Sequence, residues 1–159
     1  MRILGIDPGY VRIGYGLVEK NGQKFTRLES GLLKIPAKTE LGKQFLALEN
    51  GLESLINRTS PDLIGLEKIF MNKNKKTGVF VAQARGIITK VVAANKIKLV
   101  EFSPPSIKLA VTGYGRADKK AVAKMVGIFL GIGTNGMIDD ETDALAIAIA
   151  ASNAAIGGD

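Results

Sequence analysis

Four carboxylates are placed where they could do chemistry. Asp7 closes the apolar run Ile3-Leu4-Gly5-Ile6, and Glu67 closes a second, Leu63-Ile64-Gly65-Leu66. An acid at the tip of a strand buried on both faces is either a cap for its own turn or a working group. The third acidic place is MIDDETDALAIAIAA, which carries Asp139, Asp140, Glu141 and Asp143 into the first turns of a helix. Acids there suit the helix dipole. Yet Asp140 and Asp143 are three apart, and Ile147 and Ala151 continue their face, so that face runs on into a stripe that packs inward. The helix holds no basic residue to pair them, and buried acids are costly unless paired or bound to metal. With no His and no Cys, imidazole bases, thiolates, the usual zinc ligand sets and disulfides are excluded. If Asp7 and Glu67 end adjacent parallel strands and the last helix packs across that end of the sheet, four carboxylates converge. Oxygen-only ligation of this kind selects a hard ion, Mg2+ or Mn2+. Two such ions, about 3.5–4 Å apart, can clamp a phosphodiester, one activating water and the other steadying the leaving oxygen.

The elements that must position these acids follow from periodicity and turn chemistry. After Asp7, residues 12–20 and 23–35 read as a hairpin around Asn21-Gly22. Thr39 is the expected cap of a helix to about Arg58, with Leu41, Phe45, Leu48, Leu52 and Leu55 at helical spacing and Ser60-Pro61 as its stop. Residues 62–68 form a fourth strand and 69–77 a basic loop. The helix expected from Gly78 to Asn95 is apolar on most of its circumference, which predicts burial on two sides, by its own sheet and by something more. Lys98–Phe102 is a fifth strand. Ser103-Pro104-Pro105 opens a short helix to about Val111, TGYGRADKK is a basic turn into a helix ending near Leu130, and the last helix runs from about Asp139 to Asn153. GIGTNG at 131–136 matches a dinucleotide fingerprint, but it follows a helix rather than a strand and reads as a helix stop and loop.

The 159 residues suit one domain, with no long linker and no repeat. The most apolar C-terminal stretch, ALAIAIAA, is far short of the roughly 20 residues a membrane span needs. No secretory signal opens the chain, so a soluble cytoplasmic protein is expected. Net charge is +7, from 22 basic and 15 acidic residues. From Lys68 to Val100 there is no acid, while Lys68, Lys73, Lys75, Lys76, Arg85, Lys90, Lys96 and Lys98 all fall there. A basic run can be a solvated face, but one this long without a compensating acid favours a nucleic acid partner.

Several ordered stretches, GIDPGYVRIGYG, IGLEKIFMNKNKKT, QARG, SPPSIKLAVTGYGRADKKAV and DETDALAIAIA, together resemble the RuvC family of bacterial crossover-junction endodeoxyribonucleases over nearly the whole chain. The resemblance implies an RNase H-like α/β fold with a five-stranded mixed sheet flanked by helices. It implies a homodimer that acts on four-way Holliday junctions and uses Mg2+ to place symmetric nicks in two strands of like polarity. It also implies the branch-migration proteins RuvA and RuvB as partners, in a bacterial, nucleoid-associated setting. By motif, the catalytic and metal-binding acids are Asp7, Glu67, Asp140 and Asp143, with Asp139 left as a helix cap. Lys108 and Lys119 map to phosphate contacts, Lys119 working beside the acids. Phe70 maps to the aromatic inserted near the junction centre. Lys73, Lys75, Lys76, Arg85 and Arg116 complete the expected DNA-binding set.

Three other readings compete. Actin-like kinases and ATPases open with a similar strand-Asp-x-Gly turn, but they need two domains closing over a nucleotide. YqgF-type nucleases share the fold and the opening motif, although the SPPS to TGYG segment favours RuvC. A junction-binding module with a decayed site is opposed by the presence of all four acids.

Overall fold

The computed structural model describes residues 1–10, 12–68 and 75–154. Three strands open the sheet: β1 (Arg2–Asp7), β2 (Arg12–Asn21) and β3 (Lys24–Lys34). After α1 (Leu41–Thr59) come β4 (Leu63–Glu67), α2 (Lys75–Ala94) and β5 (Lys98–Phe102). Three helices close the chain: α3 (Pro104–Thr112), α4 (Lys119–Leu130) and α5 (Asp139–Ala154). The strand order is β3-β2-β1-β4-β5. Antiparallel pairing of β1 with β2 and of β2 with β3 makes the hairpin half, and parallel pairing of β1 with β4 and of β4 with β5 makes the other.

Strand alternation assigns each face its helices. Leu4 and Ile6 of β1 and Ile64 and Leu66 of β4 pack with Leu48, Leu52 and Leu55 of α1 and with Phe80, Ala84 and Ile88 of α2. Ile3 and Leu63 point the other way, into a core shared with α3, α4 and α5. On that second face Gly5 pairs with Gly16 on one side and Gly65 on the other, a row of bare backbone across three strands. Helix α5 lies directly on this row. A Cβ at Gly5 would collide with the carbonyl of Ala144 and stand 2.6 Å from the Ala148 amide, and one at Gly65 would stand 2.9 Å from the Ala151 Cβ. Residues 144–152 of α5 are accordingly buried all round, not along one stripe, because α3 and α4 cover the side that faces away from the sheet. Gly5→Ala should therefore lift α5 off its groove and cost about 3 kcal/mol, the upper range for overpacking. Chemical denaturation measures this, and a loss below about 1 kcal/mol would show the helix to be loosely seated.

Several expectations need adjusting. The hairpin loop is Gly22-Gln23, since Asn21 still pairs with Lys24, and Gly22 takes the left-handed φ of 61°. Thr39 does not cap α1. Its hydroxyl donates to the Pro36 carbonyl, and Glu40 occupies the cap position without a side-chain bond. Helix α2 begins at Lys75, three residues before Gly78. It is buried along Phe80, Ala84, Ile88, Val91 and Val92, whereas Val79 is 53% exposed and Ala82, Gln83, Gly86 and Ala93 face outward. Among the described residues α2 packs on the sheet and α1, and its second apolar side faces outward. Asp139 is the first helical residue of α5 rather than its cap. The α3 start and the 131–136 stop hold: Ser103 caps α3 by accepting from the Ser106 amide, and Gly131 (φ 63°) ends α4 ahead of the 131–136 loop, while Asp118 caps α4 by accepting from the Ala121 amide. No described helix is long and apolar enough to cross a membrane.

Candidate active site

β1 and β4 run parallel, and their last ladder pair is Ile6 with Leu66, so Asp7 and Glu67 leave the sheet side by side. Odd-numbered side chains of both strands face α5, as Ile3 and Leu63 do, and Asp7 and Glu67 share that direction. The first turn of α5 comes down onto the same corner. Asp7 pairs across the hairpin with Gly14, where any Cβ would collide with the Asp140 carbonyl. A glycine is thus what lets the acids of α5 approach those of the strands.

This proximity sets the electrostatics of the corner. The Asp7 carboxyl is pushed up to about 8, first by burial, then by the charges of Glu67, Asp143 and Asp140. Protonated Asp7 can then donate a hydrogen bond to Glu67. Burial and the Asp143 charge also raise Glu67, against the opposing pull of that bond and of Lys119 and Lys108. Burial raises Asp143 as well, while Lys119 works against it, with Lys119 Nζ 3.2 Å from Asp143 Oδ2 and 3.8 Å from Asp139 Oδ2. Beside these groups a cavity of about 340 Å3 has Glu67, Asp143, Lys108 and Lys119 at its rim and Ile107, Val122 and Ile147 among its apolar walls.

All four acids of the expected set thus meet at one corner, with Lys108 and Lys119 against them. Arg116 lies exposed on the turn leading to Lys119. Arg85 pairs with Glu101 of β5, and its Nε is buried without a partner among the described residues. Phe70 and Lys73 lie outside the described residues, and for Lys75 and Lys76 only the helical backbone is described.

Sequence reasoning missed Arg12, whose Nε donates to Asp140 Oδ2. The available signal was slight, the only charged residue between Asp7 and Gly14. With Arg12 on Asp140 and Lys119 on Asp143, no group of three carboxylates among the described residues stands ready to hold an ion with the side chains as they are. The donor set is nonetheless all oxygen and partly desolvated, which suits a hard divalent cation.

The family model described as crossover junction endodeoxyribonuclease RuvC matches residues 3–151. The RuvC crossover junction endodeoxyribonuclease of Chloroflexus aggregans is 42% identical over 149 residues, covering 94% of this chain and 91% of that one. That of Halothermothrix orenii is 40% identical over 153 residues, covering 96% and 93%. Among solved structures, T. thermophilus RuvC in complex with a Holliday junction substrate superposes with a TM-score of 0.90 at 26% identity, covering 98% of this chain and 94% of that one. The yeast mitochondrial Holliday junction resolvase Ydc2, at 18% identity and TM-score 0.70, shares the fold. The five-stranded mixed sheet with helices on both faces is thus the RNase H-like α/β fold, and this chain, matched along its length by model and relatives alike, belongs to the RuvC family of crossover junction endodeoxyribonucleases.

Proposed function

We propose that this protein resolves four-way DNA junctions, cutting phosphodiesters in two strands of like polarity with the help of divalent metal, as a step in recombination and DNA repair. The observation that carries the reading is the convergence of Asp7, Glu67, Asp140 and Asp143 from two strand ends and one helix start, felt at Asp7 as the combined charge of the other three. Those acids would hold two Mg2+ ions, or Mn2+ in their place, which when bound supply an activated water and a counter-charge for the leaving oxygen.

The chain's own residues set the geometry. The strand ladder fixes the backbones of Asp7 and Glu67, so both carboxylates start from rigid positions at the sheet end. Lys108 and Lys119 at the cavity rim meet the phosphate's negative charge. The apolar wall of Ile107, Val122 and Ile147 limits bulk water around the acids and strengthens every charge interaction there. Lys73, Lys75, Lys76 and Arg116 would hold backbone phosphates farther out, and Phe70 would enter the junction centre.

Two nicks in one junction need two such sites. The uncovered side of α2, with Val79, Ala82, Gly86 and Ala93, offers a close-packing face to a second copy. Sedimentation should give a dimer without DNA, and a monomer at micromolar concentration would remove α2 as the interface. Coupling to the branch-migration proteins RuvA and RuvB rests on family membership. The decisive assay compares a mobile four-way junction with linear duplex of the same sequence. Nicking of the junction in Mg2+, none in chelator and little on duplex is the expected pattern, and equal cutting of both substrates would reject junction selectivity.

A further inference from the structure

Arg12 has no part in the chemistry assigned so far, yet it makes the most intimate contact with it. It is the first residue of β2, and Asp140 is the second of α5. Because Gly14 carries no side chain, β2 runs directly beneath the first turn of α5 and delivers the Arg12 guanidinium to Asp140 Oδ2. Among the described residues this is the only hydrogen bond the Arg12 side chain makes, which leaves most of its five N–H donors unspent. The Arg12 side chain is 50% exposed while that of Asp140 is 26% exposed, so the cation stands outward of the acid it covers.

This placement conflicts with metal at the same carboxylate. A guanidinium and a divalent ion repel each other, and both want the oxygen at Oδ2. With Lys108 and Lys119 also beside the acids, Arg12 offsets part of their negative charge, so a divalent ion at Asp140 is favoured only once the guanidinium has left. A phosphodiester arriving at the mouth offers the guanidinium an alternative anion with matching fork geometry.

We propose that Arg12 is a resident counter-ion that withholds Asp140 from metal until DNA arrives and then passes to the substrate phosphate. The proposal rests on the reading of Asp140 as a metal ligand, and it makes Arg12 a positioning residue whose departure couples metal loading to substrate.

The test titrates Mn2+ into the full chain without DNA by calorimetry, using wild type, Arg12→Gln, Arg12→Lys and Asp7→Asn. Arg12→Gln should bind Mn2+ about fivefold more tightly or better, since its competitor is gone, and Arg12→Lys should stay near wild type. In chelator Arg12→Gln should melt lower than wild type, yet gain more from Mn2+. A residue that merely ties β2 to α5 would lower the melting temperature and leave Mn2+ affinity unchanged, an outcome that overturns the proposal. Junction binding in chelator supplies the second half: Arg12→Gln should reduce the slope of log affinity against log salt by about one. An unchanged slope would refute the transfer to phosphate. If neither wild type nor Arg12→Gln shows saturable Mn2+ binding that Asp7→Asn removes, the four-acid site itself fails, and the role of Arg12 with it.

Discussion

Asp7→Asn should cut junction nicking by about a thousandfold or more, the scale on which a catalytic constellation fails when one member is lost. Binding of the uncut junction should stay the same or tighten. The asymmetry follows from a division of labour in the structure. Asp7 sits at the end of the middle strand, where the charges of Glu67, Asp143 and Asp140 all reach it, while the cations proposed to meet phosphate, Lys108 and Lys119, lie on α3 and α4. The substitution touches neither of those cations and adds no negative charge near the DNA path, so affinity has no reason to fall. Electrophoretic binding in chelator beside nicking in Mg2+ measures both. A folded Asp7→Asn protein that no longer binds junctions would mean that the acid corner shapes the DNA surface rather than the reaction.

The metal-free protein should lose stability as pH rises, and Asp7 should be the main cause. In the folded state its carboxyl keeps its proton up to about 8, whereas the ordinary value is 3.8. Between those two values the folded chain binds more protons than the unfolded one, so stability falls with increasing pH. The contribution is fully present below about 3.8 and is lost as pH passes through about 8. Glu67 and Asp143 are raised too and add to the same slope. Glu29 runs the opposite way: the Arg58 hydrogen bonds lower its carboxyl, and its contribution disappears in acid, below this window. Melts in chelator from pH 5 to 8.5 should therefore slope downward for wild type. For Asp7→Asn they should be flatter and, at pH 8, higher. Asp143→Asn should gain less, because Lys119 already offsets that acid and would lose its 3.2 Å partner. Mg2+ should raise the wild-type melting temperature at pH 8 and raise that of Asp7→Asn less. Parallel slopes for the two proteins would show that Asp7 is not under the strain its surroundings impose.

Local chemistry made much of this legible in the sequence. Apolar runs closed by Asp7 and Glu67 announced two strand tips, Ser103-Pro104-Pro105 announced a helix start, and the three-residue spacing of Asp140 and Asp143 put both on one helical face. Such signals act within a turn or a strand, so reading along the chain recovers them. The motif resemblance then selected Asp140 over Asp139, a choice that spacing alone left open.

What the tertiary structure decided are the contacts between residues far apart in the chain. The row Gly16, Gly5 and Gly65 becomes a groove only when three strands pair in this register, and only then does α5 descend until its acids reach Asp7. The described residues cover one side of α2, although its composition suggested burial on both, because helix periodicity records how apolar a face is and not what lies against it. Arg85 belonged to a basic stretch in sequence and to Glu101 in space. Arg12 and Asp140 are separated by 128 positions, and nothing local to either says that the two will meet. Side-chain type and spacing determine what a residue can do, while the pairing of strands and the seating of one helix determine which charges it must do it beside.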